Sequence, residues 1–252
     1  MHVGTGRRNR THRYRAGRWT AAAAPAIGLV AVLGGGTAAG AAAAPSASPA
    51  ASLMAEAIQN ADGGSWVHEV AHGAASGHTF SAVNDIGTFE GRQMIDSDKA
   101  QAEVVQIGQE AYIRGNAAAI SSYFELTKND PQQLANTWIS LAPSDGAEYT
   151  SVISAVTLKS DFQQETISGP LSEGHAVTVA GQRCIPITGH VSSPAVGTAT
   201  ATLYVTDSKT PLPVEYKAGN KKATSVTTWS RWGHPVTLTA PPDAIPYASL
   251  LG

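Results

Sequence analysis

The amino-acid sequence predicts an α+β fold, with helices packed on the concave face of one large curved antiparallel sheet. From Ser65 to Gly115, apolar and polar residues alternate in short runs separated by glycine and Asp/Ser clusters, as in antiparallel strands. Helical spacing replaces this alternation between Asn116 and Gln164, and the alternation returns from Ile167 to Thr239. Strands and helices segregated in this way are typical of α+β proteins.

The first 44 residues predict an export signal. Six arginines and no acidic residue lie in the first 20 residues, an apolar stretch covers Ala21–Leu33, and small residues follow, which is the order found in a signal peptide. We expect residues 1–44 to be a signal peptide or an uncleaved signal anchor. Residues 45–52 are rich in alanine, serine and proline and predict a linker, and residues 53–252 have the length of a single domain.

Local signals predict each strand of the remaining chain. Leu53–Asn60 first predicts a short helix that ends at the Asp-Gly-Gly sequence starting with Asp62. The first alternating runs predict strands at His78–Asp85, Thr88–Asp96, Ala102–Ile107 and Glu110–Arg114. The later runs predict strands at His175–Ala180, Arg183–Thr188, Ala199–Thr206, Leu212–Lys217, Thr224–Arg231 and Val236–Thr239.

The middle of the chain predicts three helices. Asn116 is a favourable N-cap for a helix that runs to Leu126. Asp130 followed by proline predicts a second, short helix, and Tyr149–Gln164 predicts the third. Between the second and the third, Trp138–Leu141 has the pattern of an extended segment.

Composition excludes some classes of partner. All 19 acidic residues but only 11 of the 17 basic residues follow residue 44, so this part of the chain carries a net charge of −8. Such a charge favours solubility and disfavours binding to the phosphates of nucleic acids. Cys184 is the single cysteine, so no intrachain disulfide forms and no lipid-modified cysteine follows the signal. We expect Cys184 to be a small buried apolar side chain.

One motif indicates a different function. His68, Glu69 and His72 have the spacing H-E-x-x-H, and His78 follows. On a helix, two such histidines bind zinc and the glutamate activates a water molecule. The neighbouring tryptophan and valines favour a strand, however, and Ala75 stands where the metzincin pattern has a glycine. We therefore interpret the segment as a strand and retain a zinc metallopeptidase as the alternative function.

Several blocks of sequence together indicate a family. They are Gln109–Gly115 followed by a helix, Trp138–Leu141, Val179–Gly181, Leu203–Val214 and Ser230–Val236. In order and spacing these blocks resemble the actinobacterial envelope lipoproteins of the LppX/LprG type, which are similar to the lipoprotein carriers of the LolA/LolB type. The resemblance implies a half-barrel of roughly eleven strands around helices and a hydrophobic cavity that can hold acyl chains. The family's lipobox cysteine is absent from this chain.

From this resemblance we expect an exported, non-enzymatic binding protein that carries a lipid or another amphiphile between its sheet and its helices. The residues that we expect to line the cavity, assigned by alternation, are Phe80, Ile113, Phe124, Trp138, Leu203 and Val205. We expect no cofactor and no metal. We expect a monomer, located outside the cell or in the cell envelope and associated with the outer face of the membrane. A cell-envelope interaction module without a small-molecule ligand is the second alternative.

Overall fold

The computed structural model of the protein describes residues 48–124, 130–154, 156–158, 167–193 and 197–251. The predicted signal segment, residues 1–44, lies outside the described residues. The α-helices are α1 (Pro49–Asp62), α2 (Ala117–Tyr123) and α3 (Ala147–Ile153). The strands are β1 (Trp66–Ala75), β2 (His78–Gly87), β3 (Glu90–Ser97), β4 (Gln101–Ile107), β5 (Glu110–Gly115), β6 (Ile139–Leu141), β7 (Ser168–Glu173), β8 (Val177–Val179), β9 (Gln182–Ser193), β10 (Gly197–Thr206), β11 (Pro213–Gly219), β12 (Ala223–Ser230) and β13 (Ile245–Pro246).

The thirteen strands that the structure describes form one sheet. Their order is β13-β6-β5-β4-β3-β2-β1-β12-β11-β10-β9-β7, and β8 pairs with β9. The pair β13–β6 is parallel, whereas the two meanders β1–β5 and β9–β12 are antiparallel and meet where β1 pairs with β12. The helices pack on the concave face, α1 against β7, β10 and β11, and α2 and α3 against β4 and β5. The predicted α+β fold with a large curved antiparallel sheet is therefore confirmed.

Helix α1 begins four residues earlier than the sequence predicts. Ser48 caps the helix, since its Oγ accepts a hydrogen bond from Ala51 N at 3.2 Å, and Pro49 occupies the first turn. Both residue types are favourable at these positions. Residues 49–52, predicted as linker, are therefore helical. Their composition suggested a linker, but the helix that follows is anchored in the core by the fully buried Ala57.

Helix α2 starts as predicted and ends early. Asn116 is its N-cap, and the side chain accepts a hydrogen bond from Ala119 N at 2.9 Å. The helix ends at Tyr123 instead of Leu126, because Phe124 has an extended backbone and is buried in the core. There its ring stacks on that of Tyr247 with a centroid distance of 5.0 Å.

The second and third predicted helices also differ from the structure. Residues 131–136 form turns and not a helix, and they end at Asn136, whose φ of 62° lies in the left-handed region that helices do not use. Helix α3 begins at Ala147, before the predicted Tyr149. Residues 155 and 159–164 of that predicted helix lie outside the described residues. A favourable first residue is therefore not sufficient for a helix, because the residues that follow must also continue it beyond the first turn.

Two separate apolar clusters lie between the helices and the sheet. The first, called the α1 cluster here, includes Ala57, Ala61, Val67, Ile86, Ile187, Leu203, Val205, Tyr216 and Trp229. The second, called the α2–α3 cluster, includes Val104, Ile113, Ile120, Phe124, Ile139, Leu141, Val152 and Val156. Within the described residues, no buried side chain belongs to both clusters. The concave face therefore has two apolar halves: the α1 cluster extends as far as Ile86 of β2, and the α2–α3 cluster begins at Val104 of β4.

The chain beyond α3 crosses the concave face at very close range. Gly87 pairs with Thr157 in an isolated parallel bridge. A Cβ atom on Gly91 would lie 2.2 Å from the carbonyl oxygen of Val156. Because that oxygen belongs to the backbone, no side-chain movement can relieve such a contact, and the position requires glycine.

We expect Gly91→Ala to lower the free energy of unfolding by about 1–3 kcal/mol, because the added methyl group forces two backbone segments apart. Gly219→Ala is the matched control: this glycine is also in a strand, and its added Cβ would meet its nearest neighbour, Ala223 O, at 3.4 Å. Urea denaturation of both variants and the wild-type protein measures the difference. Equal stability of the two variants would contradict this account of the crossing.

Cys184 is buried in β9, as the sequence predicts. It is 0% exposed, and its Sγ donates a weak hydrogen bond to Gln182 O at 3.5 Å. Burial raises the pKa of the Cys184 thiol, because the low-dielectric surroundings disfavour the thiolate. The side chain therefore acts as a small apolar group and is not suited to be a nucleophile.

We expect the thiol of Cys184 in the folded protein to react with Ellman's reagent far more slowly than in protein unfolded by guanidinium chloride. The physical reason is twofold: the reagent cannot reach the sulfur, and the raised pKa keeps the thiol protonated. Absorbance at mildly alkaline pH measures both rates, and the unfolded chain serves as its own control. Rapid reaction of the folded protein would show that the thiol is accessible and ionised.

Candidate ligand-binding face

The register of β1 sorts its side chains between the two faces of the sheet. Val67, Glu69, Ala71 and Gly73 lie on the concave face, and the residues between them lie on the convex face. Their partners across β2, in the same order, are Ile86, Asn84, Ala82 and Phe80. Side chains on one face of neighbouring strands can meet, while those on opposite faces cannot.

The histidine motif lies in a strand, as predicted, and the strand separates its members. His68 and His72 are on the convex face, whereas Glu69 is on the concave face and is 4% exposed. Glu69 accepts hydrogen bonds from Asn84 Nδ2 at 2.6 Å and from Trp229 Nε1 at 3.0 Å. A glutamate on the opposite side of the sheet cannot activate a water molecule bound to these histidines. The zincin arrangement is therefore not formed.

Two of the histidines lie beside carboxylates. His68 Nδ1 lies 2.8 Å from Asp85 Oδ1, and His78 Nδ1 lies 2.8 Å from Asp98 Oδ2. Hydrogen bonds from the side chain and backbone of Thr79, and then from His78, lower the pKa of Asp98 to about 2. Across the described ranges, no three His, Cys, Asp or Glu side chains are grouped so that they could hold a metal ion.

Five of the six expected wall residues lie on the concave side. Ile113 and Phe124 are buried in the α2–α3 cluster, and Leu203 and Val205 are buried in the α1 cluster. Phe80 is half-buried, and its ring covers Gly73 so closely that a Cβ there would lie 2.4 Å from Phe80 Cε1.

Trp138 lies on the convex side, so the prediction that it lines a cavity on the concave side is wrong. The next residue, Ile139, is fully buried in the α2–α3 cluster, and successive residues of a strand face opposite ways. The Trp138 ring instead packs beneath the guanidinium of Arg114, whose Cζ lies 4.8 Å from the ring centroid. Alternation alone could not show which of the two residues faces the helices.

Polar side chains interrupt the concave face along the central strands. Asn84 and Gln93 are 2% and 3% exposed and pair across β2 and β3, and Gln106 of β4 is 5% exposed. We call these three residues the amide band. It spans β2 to β4, so Asn84 shares a strand with Ile86 of the α1 cluster and Gln106 shares a strand with Val104 of the α2–α3 cluster. The band was not predicted from the sequence, although Asn84 alternates with the apolar Ala82 and Ile86, which is the signal of an inward position.

Small side chains line the concave face beside the amide band. Ala71 and Ala82 are partners across β1 and β2, and Gly73 follows on the same face. Ala102 continues the row in β4 as the partner of Ile95. These residues contribute little volume to the concave face, whereas Ile95 of β3, which lies between Ala82 and Ala102, contributes a large side chain.

Comparison with known proteins establishes the fold. No protein-family model matches the chain, and no curated protein matches it. Among solved structures, LprF from Mycobacterium bovis has a TM-score of 0.51 at 16% sequence identity, over 77% of this chain and 98% of LprF. The lipoprotein LppX from Mycobacterium tuberculosis has a TM-score of 0.49 at 15% identity, over 75% of this chain and 98% of LppX. The predicted resemblance to LppX/LprG-type proteins is confirmed, since the chain has the fold of LprF.

The described helices include none that is long and apolar enough to span a membrane. The longest, α1, has 14 residues, and a membrane span needs about 20.

We expect the purified protein to contain no stoichiometric zinc, and we expect His72→Ala to leave its metal content unchanged, because His68, His72 and Glu69 do not share a face. Inductively coupled plasma mass spectrometry measures the metal content. One zinc ion per chain in the wild-type protein, lost in His72→Ala, would restore the metallopeptidase alternative.

Proposed function

We propose that this protein binds a lipid or another amphiphile between the concave face of its sheet and its helices, and that it catalyses no reaction. The observation that carries the proposal is the division of this helix-covered space into two apolar clusters, with the small side chains of Ala71, Gly73 and Ala82 between them. Apolar walls with a few polar groups are typical of sites for small molecules.

The fold supports the same proposal. The resemblance to LppX/LprG and LolA/LolB proteins implies a cavity for acyl chains between sheet and helices, and this chain has the fold of LprF. The wall residues that we retain are Phe80, Ile113, Phe124, Leu203 and Val205. Each CH₂ group of a bound chain that leaves water contributes about 0.8 kcal/mol, so contact with such walls is sufficient to hold an alkyl tail.

The site of action follows from the sequence. The basic and apolar residues before position 45 support export, and we propose a monomer that acts outside the cell or in the envelope. There it would receive its amphiphile at the outer face of the membrane. The negative charge of the chain after residue 44 keeps such a carrier soluble once it leaves that surface.

We expect protein purified from its own host to carry a bound amphiphile, because apolar walls retain an alkyl chain in water. Native mass spectrometry before and after extraction with organic solvent measures the mass that is lost, and the extract identifies the molecule. Protein that is reproducibly empty, and that also fails to bind a fluorescent fatty acid, would contradict the proposal. That result would favour an interaction module without a small-molecule ligand.

A pair of variants on one strand tests where the amphiphile lies. Phe80 and Val83 are both half-buried in β2, but Phe80 lies on the concave side and Val83 lies on the convex side. We expect Phe80→Ser to weaken binding of the fluorescent fatty acid about tenfold, since it removes a large apolar contact. Val83→Ser is the matched control and should bind as the wild-type protein does. Equal loss in both variants would place the effect in stability and not in binding.

A further inference from the structure

The amide band contains two buried acceptors that have no partner. Asn84 Oδ1 and Gln106 Oε1 make no hydrogen bond to any described residue, although both atoms are shielded from solvent. Buried polar atoms are nearly always hydrogen-bonded, because a lost bond to water is otherwise not replaced. Two such acceptors in one region of the concave face therefore require an explanation.

The orientation of both amide groups is set by their other hydrogen bonds. Asn84 Nδ2 lies 2.6 Å from Glu69 Oε1, and a carboxylate only accepts hydrogen bonds. Gln106 Nε2 lies 3.2 Å from the carbonyl oxygen of Gly108, which also only accepts. Rotating either amide by 180° would bring two acceptors together. The unpaired atoms are therefore carbonyl oxygens, and what they lack is a donor.

Their location connects them to the proposed site. Asn84 pairs with Gln93 across β2 and β3, and Gln93 pairs with Val104 of the α2–α3 cluster. Gln106 lies on the same face of β4 as Val104, two residues further on. A ligand between sheet and helices would thus meet neutral acceptors in the middle of the face and apolar side chains on both sides.

We infer that the amide band recognises hydroxyl groups on the polar end of the amphiphile, an inference that rests on the proposed function. The unpaired acceptors belong to uncharged amides, which suit a neutral donor, whereas burying a charged donor in an apolar setting costs far more. Because both oxygens are shielded in this structure, we infer that the hydroxyl groups reach them by displacing the groups that cover them.

Two neutral ligands with the same acyl chain test this specificity. Monopalmitoylglycerol has two free hydroxyl groups, and methyl palmitate has none. We expect the wild-type protein to prefer the monoglyceride at least about tenfold, equivalent to about 1.4 kcal/mol, because a site with buried acceptors rejects a ligand that lacks donors. Displacement of a fluorescent fatty acid measures both affinities.

Three variants test whether the amide band causes the preference for the monoglyceride. Gln106→Met and Asn84→Leu keep similar side-chain sizes and remove the acceptors, so each should lower the ratio of the affinity for the monoglyceride to the affinity for methyl palmitate. Gln101→Met is the matched control: Gln101 is in the same strand as Gln106 but on the convex face, where it donates to Asp96 Oδ1 at 3.2 Å. Its preference should equal that of the wild-type protein. Gln106→Met loses only the hydrogen bond to Gly108 O, so we expect it to fold. It can therefore test the inference even if Asn84→Leu does not fold.

The outcomes separate the two proposals. Failure of the wild-type protein to bind the fluorescent fatty acid and both ligands would overturn the proposed function. Equal affinity for both ligands would leave the proposed function intact and overturn the inference about hydroxyl groups. A preference that persists in both Gln106→Met and Asn84→Leu would overturn the assignment to the amide band.

Discussion

The pairing of β1 with β12 is the interaction on which the rest of this structure depends. The two strands are far apart in the chain, and eight register pairs, from His68–Ser230 to Ala75–Ala223, join the two meanders into one sheet. Glu69 and Trp229 are partners in this register, and the Trp229 indole donates to the buried Glu69 carboxylate. A slip of one residue would move Glu69 to the convex face and His68 into the core, so the register is strongly specified.

This register gives the two faces of the sheet different chemistry. On the convex face, Glu103 receives hydrogen bonds from Arg92 and Arg114, and Arg114 covers Trp138. Such partly exposed ion pairs contribute little to stability, but they make the face compatible with water. On the concave face the few polar groups are buried, so each requires a hydrogen-bond partner. The helices cover only the concave face, and a site for an amphiphile is therefore proposed there.

The sequence predicted most of the elements because their signals are local. Alternation located the strands of both meanders, the short polar side chain of Asn116 located the start of α2, and the usual burial of a lone cysteine predicted that of Cys184. The strand predicted at Val236–Thr239 is absent, since these residues have no regular secondary structure. Predictions were wrong where contacts distant in sequence decided the outcome. Phe124 ends α2 by stacking on Tyr247, and the turns that replace the helix after Asp130 precede a strand that pairs with β5 and β13.

The candidate site shows the same difference between features set by local sequence and features set by contacts distant in sequence. The sequence by itself determined the meander–helix–meander order, the resemblance to LppX/LprG-type proteins and the strand that contains the histidine motif, because period and turn residues are properties of neighbouring positions. Only the tertiary structure decided that Ile139 and not Trp138 faces the helices and that Asn84 and Gln106 lie inside. The reason is that alternation defines two sets of side chains in a strand, whereas the choice of which set is buried depends on the strands and helices against which it packs.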